Sequence, residues 1–367
     1  MQNDRYKQYI FITLILMAAW LAFPVSQLLA EDQRYTQVVP DYDLTFPQDY
    51  GAHPDFRIEW WYVTGWLETS EKKPLGFQIT FFRPSTGHNP DNPSQFAPKQ
   101  LIIGHAALSD PAVGRLIYDE KTARAGFGLA YAREGDTDVK LDDWYFVRSP
   151  DGSYLTEVQA DKFGMNLTLK PSQSLMLQGK KGFSRKGPDI GQASYYYSEP
   201  HLQVSGIIRH QGQSLTVKGH AWLDHEWSSE YLDSRADGWD WVSVNLDDGS
   251  ALMAFQIRGK NDKKLWAYAK LRDANGHAIL FAPEQVEFIP VRTWQSPHTN
   301  ATYPVEMRIR TDKTEWRLMP LFDDQELDSR SSTGAVYWEG AVTVFRDEQK
   351  VGRGYLELTG YVESLDL

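Results

Sequence analysis

Among the places in this chain where a carboxylate stands beside tryptophan are three runs: Glu59-Trp60-Trp61-Tyr62, Asp224-His225-Glu226-Trp227 and Trp239-Asp240-Trp241. Indole rings exclude water, and a carboxyl group deprived of water keeps its proton to higher pH unless a donor pairs it. Such an acid can protonate an apolar substrate. The same pattern also serves a structural network, in which carboxylates accept hydrogen bonds from indole N–H groups and brace the fold.

Period-two alternation sorts these acids. In Gly219–Trp227, read as a strand, His220, Trp222, Asp224 and Glu226 share one face, with Ala221, Leu223, His225 and Trp227 opposite. If that face points into a barrel it is a buried acid–base cluster, and repulsion between the two carboxylates holds one of them protonated. Asp224, Glu226 and His220 are therefore the candidate catalytic residues. The competing reading is a frayed strand end, with 224–226 as a solvated turn before Ser228-Ser229. Asp240 shares its face with Val242, Val244 and Leu246, so it must be paired or neutral. Its donor is an indole, a histidine or an arginine, or backbone N–H groups at the strand start. Arg57, Glu59, Trp61 and Val63 share another face. Glu59 then either pairs with Arg57 or stands free beside Trp61 as a functional acid.

Other chemistries fit poorly. The chain has no cysteine, which excludes thiol catalysis, thiolate metal sites and iron–sulfur clusters. It has no His-Glu-x-x-His, no Gly-x-Ser-x-Gly elbow, no phosphate loop and no dinucleotide fingerprint. His220 and His225 face opposite ways, so no zinc site is expected there; a hard-metal site from Asp224, His225, His220 and His105 is the alternative. No metal or other cofactor is expected. The formal net charge of −11 argues against a nucleic-acid partner.

The elements that must position these residues read as strands. Val242, Val244 and Leu246 alternate with polar residues, Asp248-Gly249 turns the chain, and Leu252, Met253, Phe255 and Ile257 return it. Asp151-Gly152 and Asn275-Gly276 mark similar turns. Near the C-terminus Tyr355, Glu357, Thr359 and Tyr361 face one way and Leu356, Leu358 and Val362 the other, as in a half-buried antiparallel strand. The expectation is an all-β protein. Gly104–Leu108 echoes Gly219–Leu223, which would suit two related barrels. Residues 84–98 and 178–192 read as loops, the first a candidate lid and the second the approach to a domain junction near 200. The domains are then 31–200 and 201–367. At the N-terminus Arg5 and Lys7 precede an apolar run from Tyr9 to Phe23 and a processing-like Leu28-Leu29-Ala30. The run is short for a membrane span and fits a secretory signal over residues 1–30, hence a periplasmic or secreted protein with no integral span after processing. An uncleaved N-terminal anchor is the alternative.

Several segments together resemble the carotenoid 1,2-hydratase/AttH-like family of two-domain, lipocalin-like proteins. They are Ile58–Tyr62 with Gly65, Phe77–Arg83, His105-Ala106, Tyr196-Tyr197-Ser198 with Pro200, Gly219–Trp227, Gly238–Trp241, Tyr337–Gly340 and Gly354–Tyr361. The resemblance implies two adjoining antiparallel β-barrels with a pocket at or near their junction. For the hydratase branch it implies protonation of a carbon–carbon double bond by a buried acid and capture of the cation by water, without a cofactor. On matching positions Asp224 is the acid, and Trp61, Trp222, Trp227 and Trp241 shield the cation. Trp239, Glu59, Asp240, Tyr196, Tyr197 and His105 complete the expected ligand-binding set. The partner expected is a hydrophobic, isoprenoid- or lipid-like small molecule. A non-catalytic hydrophobe carrier and a secreted hydrolase are the alternatives.

Overall fold

The computed structural model describes residues 35–88, 92–94 and 96–365, so the expected export segment lies outside the described residues. Among the described residues twenty-three strands follow one another: β1 Ile58–Thr69, β2 Pro74–Phe82, β3 Leu101–Ser109, β4 Leu116–Arg124, β5 Ala130–Ala132, β6 Asp138–Leu141, β7 Trp144–Arg148, β8 Tyr154–Gln159, β9 Phe163–Lys170, β10 Met176–Leu177, β11 Phe183–Arg185, β12 Ala193–His210, β13 Gln213–Ser228, β14 Ala236–Leu246, β15 Ala251–Gly259, β16 Lys263–Arg272, β17 Ala278–Phe281, β18 Val286–Gln295, β19 Thr302–Thr311, β20 Thr314–Pro320, β21 Glu326–Ser329, β22 Ala335–Arg346 and β23 Gln349–Thr359. The three turns expected at Asp151-Gly152, Asp248-Gly249 and Asn275-Gly276 each join paired antiparallel strands.

The strands form two antiparallel sheets. The first runs β4-β3-β2-β1-β13-β12-β9-β8-β7-β6-β5, with β10 and β11 also on β12. It rolls up until β3 meets β6 and β7: a Cβ on Gly104 would lie 3.0 Å from both Leu141 and Trp144. Trp61, Phe77, Phe81, Trp144, Phe146 and Tyr154 fill its interior. The second runs β17-β16-β15-β14-β23-β22-β20-β19-β18, with β21 on β22, and curls around Trp316, Trp338, Tyr303 and the aliphatic residues of β14 and β22. The protein is thus all-β, with two adjoining lipocalin-like barrels. The junction position expected near 200 falls inside β12, and the chain passes from one sheet to the other between Ser228 and Ala236. The two echoing segments lie in β3 and β13 of the same sheet, so they do not mark a repeat of barrels.

The layer between the barrels decides the rest. Tyr62, Trp66, Tyr196 and Trp222 of the first sheet pack against Trp241, Phe255 and Tyr355 of the second. Seven rings at about 150–250 Å² each bury on the order of 1,000 Å² or more, the scale of a stable protein–protein contact. Trp66 Nε1 donates to Gly354 O at 2.9 Å and Asn245 Nδ2 to Ala221 O at 3.1 Å across it. Strands β1, β13, β14 and β23 are therefore covered on both faces, one by a barrel core and one by the other barrel. That alters the C-terminal strand most: the polar face holding Tyr355 and Glu357 was expected at the surface, and it is turned into the junction.

Candidate functional site

Strand register builds the centre of the junction. On the first sheet Thr80, Tyr62, Asp224 and Ser198 lie side by side across β2, β1, β13 and β12. On the second, Glu339, Glu357, Trp241 and Phe255 do so across β22, β23, β14 and β15. The Tyr62 and Trp241 rings meet edge to face at 5.2 Å and join the two rows. Two residues further along the same strands stand Thr64, Trp222, Tyr355 and Ser243, all of which line a 420 Å³ cleft between the barrels. Two strand residues span about 6.6 Å. The acids thus sit one pleat below the floor of the cleft, whose rim carries Glu68, Asp247, Lys350 and Arg353.

Asp224 and Glu226 do share a face with Trp222, but that face points out of the first barrel, into the junction. Trp222 Nε1 and Ser198 Oγ donate to Asp224 Oδ1 at 2.6 and 2.5 Å, and Tyr196 donates to Oδ2 at 2.6 Å. Trp241 Nε1 donates to Tyr196 at 3.2 Å and Gln178 Nε2 to Ser198 at 2.8 Å, so both hydroxyls are free to aim their own protons at Asp224. Burial pushes Asp224 up to about 7, against the pull of these three donors. Glu226 differs in having a counter-ion: Lys186 Nζ is 2.6 Å away, itself buried among Tyr196, Tyr231 and Phe255, and Ser194 donates to the same carboxylate. Burial pushes Glu226 up and Lys186 down, each opposed by the other's charge. Repulsion between Asp224 and Glu226 is therefore the lesser cause, and desolvation the greater. His220 does not join them; it is exposed at the mouth of the cleft.

Glu339 and Glu357 face each other across β22 and β23. Glu339 is fully buried, and desolvation with Glu357 beside it holds its carboxyl well above the usual range, the Tyr62 hydroxyl opposing weakly. Burial pushes Glu357 up to about 8; Trp239 hydrogen-bonds it and opposes the rise, and Asp224, Glu226 and Asp240 add to it.

A second cluster closes one end of the first barrel. Here Glu59 pairs not with Arg57 but with Arg83, whose Nε donates to Oε2 at 2.7 Å. Glu59 Oε1 lies 2.7 Å from His53 Nδ1 and 2.9 Å from His225 Nε2. Burial would raise Glu59, but the charges of Arg83 and His53 and the imidazole bonds outweigh it and hold the carboxyl well below the usual range. Burial lowers His225 to about 4 against the pull of Glu59. The His225 ring stacks on Trp61 at 4.5 Å and His53 on Trp227 at 3.7 Å, while Tyr197 hydrogen-bonds His225 Nδ1. The ligand atoms of His53, Glu59 and His225 lie within 4.8 Å of one another, a spacing a metal ion can use, but two imidazoles and Arg83 already satisfy Glu59. Trp61, Trp227, Tyr197 and Glu59 thus belong to this barrel end, and only Trp222, Trp241, Trp239 and Tyr196 of the expected ligand set reach the junction.

Asp240 and His105 are engaged elsewhere. Arg258 Nε and Gln256 Nε2 donate to Asp240 at 3.0 and 2.6 Å, and the Tyr361 hydroxyl donates at 3.0 Å. This is the arginine-paired outcome expected for a carboxylate on an apolar face. His105 is buried and lowered to about 3, with Nδ1 at 2.6 Å from the Tyr337 hydroxyl and Nε2 at 2.8 Å from Ser332, so it ties β3 to the second barrel. Lys186 was hidden in a stretch read as loop. Glu339 and Glu357 stood in segments noted for resemblance, but alternation alone assigns a polar face to solvent, and nothing in the pattern says that a second barrel covers it.

Comparisons with known proteins agree with this architecture. The AttH-like family model matches residues 37–361. A protein from Nitrosomonas europaea described as a putative AttH is 68% identical, covering 89% of this chain and all of that one, with a TM-score of 0.84. Kievitone hydratase from Nectria haematococca covers 89% of this chain and 96% of its own at 15% identity and a TM-score of 0.66. CghA bound to Sch210972 covers 90% and 97% at 12% identity and a TM-score of 0.53. At those identities the last two likenesses are of fold alone. No curated protein sequence matches the chain. With two lipocalin-like barrels, an acid-lined junction and a family match across almost all the described chain, the protein belongs to the AttH-like family.

Proposed function

We propose that this is an exported hydratase or related lyase that acts, without a cofactor, on a carbon–carbon double bond of an isoprenoid- or lipid-like molecule. The observation that carries the reading is the place of Asp224: one pleat beneath an open cleft, walled by Trp222, Tyr196 and Trp241, and poised near neutrality. A carboxyl group with a pKa near the working pH suits general acid catalysis, contributing about 10²–10⁴-fold in rate. Asp224 gives its proton to one alkene carbon, and the electron-rich ring faces of Trp222 and Trp241 stabilise the cation left on the other. Water then adds there and sheds one proton, which restores Asp224. The charged rim and aromatic floor of the cleft fit a substrate with a polar outer end and an apolar inner one. The fold is also that of a protein named as a hydratase, which supports the reading by analogy. Residues 1–30 supply the case for export.

The test is Asp224→Asn, assayed by mass spectrometry for water addition to a panel of prenylated phenols and terpene hydrocarbons. The expected result is loss of turnover by about a hundredfold or more with the circular-dichroism spectrum unchanged. Turnover equal to wild type would remove Asp224 from the mechanism. One observation favours a second reading, a carrier without chemistry: three donors converge on Asp224, as in a structural brace. In that case Asp224→Asn lowers stability, and the wild-type protein releases its ligand unaltered.

A further inference from the structure

Buried polar atoms in folded proteins are almost always hydrogen-bonded, yet in the junction the Tyr62 hydroxyl meets Glu339, and the Tyr355 hydroxyl meets Ser109, only at poor hydrogen-bond geometry, and the Thr64 hydroxyl has no partner among the described residues. Tyr62 adjoins Glu339 on one side and is the cross-strand neighbour of Asp224 on the other. Tyr355 adjoins Glu339 and lines the cleft. Asp224, by contrast, is saturated with donors. The proposed reaction so far leaves Glu339 and Glu357 without a task.

We infer that Glu339 and Glu357, with the hydroxyls of Tyr62 and Tyr355, form the subsite for the oxygen that the proposed reaction adds, holding the entering water and afterwards the product hydroxyl. The inference rests on the hydratase reading and assigns it a second half. Two facing carboxyls cannot both ionise readily, and desolvation holds Glu339 and Glu357 in the protonated form near neutrality. Their carbonyl oxygens accept hydrogen bonds from water, and their O–H groups and the tyrosine hydroxyls supply the rest of the two to four partners a buried water needs. When Asp224 has given its proton to one alkene carbon, the water oxygen bonds to the other, and the proton it sheds passes to the Asp224 carboxylate. Water and alkene thereby become alcohol, and Asp224 is restored. An ammonium group fits less well: the layer already holds the Lys186 cation beside Glu226, and the tyrosine hydroxyls suit a neutral oxygen.

The experiment is calorimetric binding of linalool, its formal dehydration product myrcene, and geranylamine to the full chain, alongside turnover. Wild type is expected to bind linalool about tenfold or more tighter than myrcene, because a site built around a hydroxyl is left unpaired by the hydrocarbon. Glu339→Ala should lose that preference, and Asp224→Asn should keep it while losing turnover. Glu339→Gln, an uncharged isostere of the protonated acid, should keep both the preference and turnover. No linalool preference in wild type, its survival in Glu339→Ala, its loss in Glu339→Gln, or tightest binding of geranylamine would each overturn the oxygen subsite. Undiminished turnover in Asp224→Asn with the preference intact would instead overturn the role of Asp224.

Discussion

Glu59 and Glu339 are both fully buried glutamates among aromatic rings, and they end in opposite states. At the barrel end, Arg83 and two imidazoles surround Glu59, and its carboxylate is held ionised. In the junction, Glu339 meets a second carboxylate and weakly placed hydroxyls, and it stays protonated. Burial is common to both and decides neither. The cation decides, because desolvation of a charge is offset only by an opposite charge or several donors. The barrel end is therefore a structural lock, and the junction is where protons are available.

The largest effect should come from breaking the lock. Arg83→Met leaves Glu59 buried without its cation and should cost about 3–5 kcal/mol in urea unfolding; a neutral result would mean that the two imidazoles suffice. Next is Lys186→Met, for which about 2 kcal/mol is expected at neutral pH. The loss is smaller because Glu226, already pushed upward, can take a proton in place of the lysine. A loss as large as that for Arg83→Met would show that Glu226 cannot do so, and the junction would then resemble the barrel end.

The two regions should also respond oppositely to pH. Glu357 keeps its proton to about 8 in the folded chain, against an ordinary 4.5. The native state binds the extra proton across that window, so this contribution to stability falls as pH rises through it, by at most about 1.4 kcal/mol per pH unit. Glu357→Gln should flatten that slope. Glu59 behaves in reverse: its contribution is present above the ordinary glutamate value and is lost as pH falls toward its depressed one. Urea midpoints measured from pH 4 to 9 read both, and an unchanged slope in Glu357→Gln would place Glu357 among ordinary surface acids. The smallest effect is expected for Tyr337→Phe, which removes one hydrogen bond to a neutral His105 and should cost about 1 kcal/mol.

Much of the fold was legible because alternation is a local property. The faces of β1, β13 and β14 follow from parity, and so do the hairpin turns. The likeness carried by Ile58–Tyr62 and Gly219–Trp227 pointed to the right family. Parity says which residues share a face, however, and not what that face meets. It grouped His220 with Asp224, although four strand residues separate a cleft rim from a buried acid. The family resemblance, and not parity, joined Trp61 and Trp227 to Trp222 and Trp241, although a sheet lies between the two pairs. Arg57 looked like the partner of Glu59 because it is near in sequence, while Arg83 arrives from the neighbouring strand.

By itself the sequence determined that this chain is all-β, that it carries acids against indoles, and that Asp224, Glu226 and Trp222 look the same way. Only the tertiary structure decided which acids are neutralised by cations and which keep a proton. That choice depends on Arg83, Arg258 and Lys186, which reach their acids from other parts of the chain. It depends equally on the second barrel, which takes water from a face that alternation would have left in solvent. A carboxyl group's pKa is set by everything within a few ångströms of it, and in a sheet protein those neighbours come from far away along the chain.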